Sequence, residues 1–572
     1  MLLQYSLALS LNIIFTICCL KAQSNFSNPL GIPQTLSGSF GELRSTNFHS
    51  GIDIKTNGTT GYKVYAVADG YISRIGISPF GYGKAVYIDH PNGYTSVYAH
   101  LDSLVMQISD YVENQQYEQQ SFVVNLLLTP NFMPIKRGDI IGYSGNSGSS
   151  MGPHLHFEIR DTKTQKTLDP LNFHFDIPDN IPPRFHNLYI YAFGKGSCVE
   201  GETGRVRKQT VDHGKVFKLV GNDTIKAINR VGFAAHVNDR VNGSNNICGI
   251  VNLIMKVNNV KTCEFKLSAI SFNEVGYVKS HIDYELYNTQ KRLVHKCFIE
   301  PGNKFSNYVD IFGNGYLQIN PTDTLNIQIT AYDSHKNSST LAFVVVGSEP
   351  VSGQYVEPAY LQKFAPNRVN IFEDSLLNIS TPGNALYDTV LFNYSILPKK
   401  PTTEAKIYRI GNPNIPLHKP VEIVLKNLNI PANLRNKTVL VGCSGKDLTL
   451  IDANPNVNIK NVYGKTHLFT DISIAYDTIA PTILPLNIKN NENMNSKRSI
   501  KIKIVDNLSG INKYNGLIDN QWVLFDYDAK NNLLEYTFDH HFPDGKQHVL
   551  KIIVSDKVGN IAEKEIVFTK EK

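Results

Sequence analysis

Apolar and polar residues alternate with a period of two along most of the chain, in short runs closed by Gly, Asn, Asp and Pro. In the first quarter these runs are Tyr62 to Ile75 (YKVYAVADGYISRI), Lys84 to Asp89 (KAVYID), Tyr94 to Ala99 (YTSVYA) and His154 to Arg160 (HLHFEIR). Alternation of this kind puts successive side chains on opposite faces of a strand, so each run predicts a half-buried strand. Pro91-Asn92-Gly93 supplies a hairpin turn between two of them. Residues from about 29 to 176 therefore predict an antiparallel sheet with tight turns.

The texture changes after Ile177. Asp179-Asn180-Ile181-Pro182-Pro183 is a stiff connector poor in backbone donors, and it is echoed by Asp477-Thr478-Ile479-Ala480-Pro481. Each echo opens a strand-rich unit in which a Gly follows four residues after a strand-ending Asp: Asp239 and Gly243 in one, Asp506 and Gly510 in the other. Asp333 with Asn337 is matched by Asp556 with Asn560, again four apart and between strands. Such residues make Asx turns at strand corners, and short strands joined this way predict β-sandwiches. The turn grammar resembles that of bacterial immunoglobulin-like modules.

The chain therefore divides into a leader at 1–22, an antiparallel-sheet domain at 23–178 and a β-sandwich module at 179–347. An irregular, proline-bearing connector is expected at 348–395, then β-sandwich modules at 396–476 and 477–572. A length of 572 residues agrees with several domains. With 28 Phe, 29 Tyr and one Trp beside many β-branched residues, the composition is mainly β and excludes an all-helical bundle. The net charge is +6 with no basic runs, which excludes a dedicated nucleic-acid binder.

Residues 1–20 are apolar and followed by Lys21-Ala22-Gln23, which fits a secretory signal cleaved after Ala22. No Lys or Arg precedes the apolar core, so an uncleaved N-terminal anchor is the alternative, and only that would place the protein on a membrane. Export to the periplasm, the cell envelope or the exterior is expected. Beyond the leader lie Cys198, Cys248, Cys263, Cys297 and Cys443, far apart, odd in number and without a C-x-x-C pair. They support neither a disulfide framework nor a thiolate zinc site.

The chemistry concentrates in the first domain. Its three histidine signals are Phe48-His49-Ser50-Gly51-Ile52-Asp53, then Tyr98-Ala99-His100-Leu101, then the run from Gly145 to Glu158, GNSGSSMGPHLHFE. His154 and His156 are two apart on a strand, so both rings leave the same face. A metal ion satisfies two such imidazoles at once, and His49 with Asp53 adds a nitrogen and a carboxylate oxygen. Two His and one carboxylate, with a fourth position left for water, is the pattern of a catalytic zinc; structural sites close all four positions.

The order H-x-x-x-D, Y-A-H-L, G-N-S-G-x-x-x-G-P-H-L-H-F-E resembles the LytM/lysostaphin-type zinc endopeptidases of peptidase family M23 over about 150 residues. The lead-in Gly38, Phe40, Gly41 and Arg44 is similar to that family's as well. The resemblance implies His49, Asp53 and His156 as ligands of one zinc ion, with His100 and His154 as catalytic histidines beside an activated water. It further implies an exported hydrolase cutting amide bonds in peptidoglycan stem peptides or cross-links. Its partners would be peptidoglycan peptides and, through the sandwich modules, other envelope proteins. Gly148, Gly152 and Pro153 are expected to shape the turn feeding the HLH strand. His90 and the remaining histidines are expected to be structural, and His540-His541 a solvated corner.

About 35 residues separate His100 from the Lys136-Arg137-Gly138-Asp139 turn, more than compact relatives use. This insertion, about 105–135, is expected either to wall the groove or to brace a neighbouring module. Two other functions remain: a wall-binding regulator on the same scaffold that activates other hydrolases, which the complete ligand set disfavours, and an adhesin working through its modules.

Overall fold

The structure, a computed structural model, describes residues 26–44, 47–349, 357–444 and 447–571. The leader read at 1–22 lies outside them. Among the described residues no helix is long and apolar enough to cross a membrane.

The first domain is a twisted, largely antiparallel sheet. Seven strands define it: β1 (Leu36–Gly38), β2 (Ile52–Lys55), β3 (Gly70–Ile77), β4 (Lys84–Asp89), β5 (Tyr94–Leu101), β6 (Val124–Leu127) and β7 (His154–Asp161). They lie in the order β1-β2-β7-β5-β4-β3-β6. The late strand β7 thus enters between two early ones. Its register sets Asp53 of β2 directly opposite His156 on one side and Ala99 of β5 opposite it on the other.

The insertion belongs to the fold. It forms α1 (Met106–Gln119), whose Ile108 and Val112 are buried, and β6, which pairs with β3 at the sheet edge. β6 therefore lies at the opposite end of the sheet from β1, three places beyond β5.

In the next module the 15-residue strand Thr224–Asn238 pairs with Arg184–Ala192 on one side and, in parallel, with Ser338–Gly347 on the other. It passes between two layers that enclose one core. Phe40, Leu43 and Phe48 of the first domain belong to that core. The Phe48 ring is stacked on both Phe265 and Phe305 at 5.7 Å.

The expected connector at 348–395 needs correction. Its described part carries Gln362–Phe364, Asn370–Glu373, Leu377–Thr381, Val390–Phe392 and Tyr394–Leu397, which join strands as far as Tyr476 in one unit. Two five-stranded sheets share its core, where Phe364 stacks on Phe392 at 4.6 Å. Strands of three to five residues are too short to show a period, and Pro366 and Pro382 lie between them without interrupting any.

The last module is a four-stranded and a five-stranded sheet around Ile500, Ile502, Leu550 and Phe568. It folds back onto the first domain. Lys84 Nζ pairs with Asp526 at 3.0 Å, and Lys530 Nζ donates to the carbonyls of Asn146 and Ser150. Tyr117 of α1 stacks on His541 with ring centroids 3.6 Å apart, meets Trp522 edge-on at 5.1 Å and donates to Asp539 at 2.5 Å. His541 is therefore a packed interface residue, correcting the solvated corner expected there; its partner lies more than 400 positions away. The five cysteines among the described residues are buried and free.

Candidate metal centre

His49 sits on a short loop whose preceding residue, Phe48, is anchored in the adjacent module's core. At Gly51 the loop presses against β7, where a Cβ would fall 2.2 Å from the Phe157 carbonyl, so only glycine fits. The loop then runs into β2 and delivers Asp53 opposite His156.

The three side chains converge. His156 Nδ1 lies 2.8 Å from Asp53 Oδ1 and 3.0 Å from His49 Nε2, and His49 Nε2 lies 3.0 Å from the same Asp53 oxygen. All three residues are buried.

The remaining polar atoms of these side chains are engaged elsewhere. His49 Nδ1 donates to the Ser39 carbonyl at 2.8 Å, which leaves Nε2 with its lone pair. His156 Nε2 donates to Glu158 Oε1 at 2.9 Å, leaving Nδ1 as the inward atom. Asp53 Oδ2 accepts from Arg44 at 2.7 Å, leaving Oδ1 to face the imidazoles. Glu158 is held in turn by Arg160, Tyr82 and Ser50.

Electrostatics asks for a cation at this point. Burial raises the Asp53 carboxyl, but His49 and the hydrogen bonds from His154 and His156 outweigh it and hold it well below the usual range. Burial lowers His156, yet hydrogen bonds to Asp53 and Glu158 raise it to about 9. Burial depresses His49 despite Asp53. A divalent ion satisfies all three by replacing the proton that His156 would otherwise carry.

His100 and His154 stand beside this cluster with ring centroids 4.9 Å apart. His154 Nδ1 donates to the Gly152 carbonyl at 2.8 Å, and its Nε2 lies 3.4 Å from Asp53 Oδ1. His100 Nδ1 donates to the Ser147 carbonyl at 2.9 Å. Each therefore turns Nε2 away from its backbone partner. Burial, helped by His156 and His154, pushes His100 down to about 3, so its ring is neutral. His100 also has φ +60°, in the left-handed region that a β-rich strand rarely admits, so strain is held at this residue.

The loop before β7 is built on Gly148, with φ +69°, where a Cβ would lie 2.3 Å from the Gly83 amide. Gly152 differs from its expected role: a Cβ there meets nothing within 4 Å. The five residues singled out in the sequence are thus brought together. Tyr82 and Arg160, which brace Glu158, and the carbonyls of Ser39 and Ser147 were missed. Tyr82 carried no motif signal, and backbone carbonyls have none. His90 Nδ1 donates to the Asp69 carbonyl and its Nε2 pairs with Ser96 Oγ, both at 2.8 Å, as a structural residue does.

Comparison with known proteins finds peptidase family M23 matching residues 47–117 and 130–170. That match contains all five residues, and its break falls inside the insertion. The chain carries an M23 peptidase domain. M23 peptidases are generally zinc metallopeptidases. A Zu5-like domain matches residues 361–451, within the middle unit.

The DD-carboxypeptidase/endopeptidase Mpg of Neisseria meningitidis is 33% identical over 118 residues, 21% of each chain. The murein hydrolase activator NlpD of Escherichia coli is 32% identical over 125 residues, 22% of this chain and 26% of NlpD. The chain spans about a fifth to a quarter of the length of these curated relatives. Among solved structures, the catalytic domain of the antimicrobial peptidase lysostaphin from Staphylococcus simulans is similar at 25% identity. That likeness covers 24% of this chain and 87% of that one, with a TM-score of 0.18. The relatives thus include both a named peptidase and a named activator.

Proposed function

We propose that the protein is an exported zinc-dependent endopeptidase that hydrolyses amide bonds in peptidoglycan stem peptides or cross-links. The observation that carries this is the inward set of His49 Nε2, His156 Nδ1 and Asp53 Oδ1, all within 3.0 Å of one another. Two imidazole nitrogens and one carboxylate oxygen fit zinc with a coordination position left open. When bound, zinc supplies Lewis-acid activation of a water and of the scissile carbonyl.

The chain's own residues do the rest. Arg44 holds Asp53 Oδ2 and so turns Oδ1 inward, while Ser39 and Glu158 fix which nitrogen each ligand histidine presents. His100, neutral and held through Nδ1, offers Nε2 as a proton acceptor next to the attack site. His154, held through Nδ1 by Gly152, offers Nε2 as an acceptor for the same proton and, once protonated there, as a donor to the developing oxyanion. The order of these two roles is interchangeable on this geometry. The substrate class and an envelope location rest on the relatives named for carboxypeptidase/endopeptidase and murein hydrolase functions.

A second reading, a wall-associated regulator, draws on one observation: the last module, through Lys530, clasps the loop that leads to His154. Digestion of purified peptidoglycan, followed by mass spectrometry of the fragments, separates the two. Wild type should release fragments with new peptide termini and His154→Ala should not. Identical fragments from both would overturn the proposed hydrolysis, and zinc-loaded wild type that releases none would favour the regulator.

A further inference from the structure

The two connectors that open strand-rich modules carry one arrangement twice. Carboxylate oxygens of Asp179, Asp239 and Asp333 lie within 4.8 Å of one another, and so do those of Asp477, Asp506 and Asp556. The members correspond one to one. Asp179 and Asp477 sit in the connectors, and Asp239 and Asp506 directly follow strands Thr224–Asn238 and Ser499–Val505. Asp333 directly follows Thr324–Tyr332 as Asp556 ends Gln547–Asp556, each at the turn into the last strand of its module.

The bracing repeats as well. The Asn337 amide nitrogen donates to Asp333 Oδ1 at 2.8 Å, and its Nδ2 reaches Asp333 Oδ2 at 2.8 Å and the Asp179 carbonyl at 3.3 Å. Asn560 makes the same three bonds to Asp556 and to the Asp477 carbonyl, at 2.8, 2.6 and 2.9 Å.

Asx turns account for these bonds but leave other atoms over. Asp239 is 3% exposed and its Oδ1 has no hydrogen-bond partner; Asp477 is fully buried and its Oδ1 has none either. Asp506 Oδ1 and the buried Ser509 Oγ, whose amide donates to Asp477, are also without partners. A buried carboxylate oxygen without a donor pays desolvation for nothing in return. Burial, with Asp333 and Asp179 nearby, pushes Asp239 up to about 9. Among the described residues no Lys or Arg nitrogen pairs with any of the six carboxylates. The one basic side chain within 4 Å of these carboxylates among the described residues is His335, with Nδ1 3.9 Å from Asp179 and its Nε2 donating to the Ile177 carbonyl.

We propose that each aspartate cluster is a binding site for one calcium-class divalent cation, two per chain, which ties the connector to the module it opens. The ligands are all oxygens, three carboxylates with water or carbonyl positions to complete six or more, which selects a hard cation and excludes zinc. One ligand of each site lies in a connector and two in the module, so binding fixes the angle at each junction. The inference is independent of the peptidase reading.

Equilibrium dialysis of the full-length, zinc-loaded protein against radioactive calcium tests it. Two calcium ions per chain are expected at about 10 mM free calcium, roughly ten times the Kd of the weakest protein calcium sites. Asp239→Asn and Asp506→Asn should each lose one ion and the double variant both, with zinc content unchanged. Fewer than two ions on wild type, or an unchanged count in either variant, would overturn the proposal. A second measurement needs no variant. Proteolytic cutting of wild type at 177–183 and 477–481 should slow about tenfold at free calcium about ten times Kd; equal rates with and without calcium would overturn it too.

Discussion

On one side of the peptidase domain, Phe40, Leu43 and Phe48 are buried in the core of the module that follows it. On the other, the last module touches it mainly through polar groups: stacked rings, the Lys84–Asp526 pair, Asp539 on Tyr117, His540 and His541 beside Glu113, and two carbonyls of a loop. Only the half-buried Tyr514, Leu524 and Tyr527 meet its core. The first contact is made of the same material as a domain interior, so it yields only when a core yields. The second resembles a transient interface between domains, which opens and closes without unfolding either part. The two contacts also touch the metal centre differently. Phe48 is next to the ligand His49, whereas Lys530 holds the loop in front of His154. One side anchors a ligand loop, and the other holds the loop before His154.

Breaking the buried side should have the largest effect. Phe48→Ala removes a ring stacked on Phe265 and Phe305, at a cost of about 3–5 kcal/mol. Thermal unfolding should fall accordingly, and zinc content should drop because the His49 loop loses its anchor. An unchanged melting temperature would show that the shared core carries no weight.

The same side should be the more acid-labile. Burial depresses His281, which leans on Phe48, and brings His295 down to about 3. Their folded pKa values lie below the unfolded value near 6.5, so the unfolded chain binds more protons below that pH. Their neutral burial is tolerated in full above pH 6.5, and stability is lost as pH falls towards 3. By pH 4.5 the loss should reach roughly 2–3 kcal/mol for His295, with a further loss from His281, read by denaturant melts across pH. A pH-independent midpoint between 7 and 4.5 would contradict it.

Tyr117→Ala strikes the other side, deleting the stack on His541 and the bond to Asp539. It should weaken docking of the last module by about 1–3 kcal/mol while leaving the peptidase domain's own melting unchanged. Small-angle scattering should show a larger radius of gyration, and peptidoglycan cleavage should be retained or faster. The smallest effect belongs to Asp526→Asn. Its pair with Lys84 is partly exposed, worth about 0.5 kcal/mol and weaker in salt. A large loss of docking at high ionic strength would contradict that ranking.

The metal centre was legible because its residues come in two local patterns. The HLH spacing on a strand and the H-x-x-x-D loop survive folding as units, and register then places Asp53 opposite His156. The first half of the middle unit, read as a connector, was not legible. Its strands of three to five residues lie between prolines and gain their order only from pairing with strands up to Tyr476. The echoed Asp and Asn residues could be read as turns, but not their convergence, because Asp179 meets Asp333 across a whole module. Contacts such as Tyr117 with His541 have no signal in either segment, since each looks like ordinary polar surface until the chain folds back.

Zinc dependence is the central claim, and metal content and hydrolysis measured on the same sample test it most directly. Wild type should hold one zinc per chain and cleave purified peptidoglycan. Chelation should abolish both and zinc should restore both, with Asp53→Ala at least about 10³-fold less active. Cleavage that survives complete removal of the metal, or that persists in Asp53→Ala without bound zinc, would contradict the account.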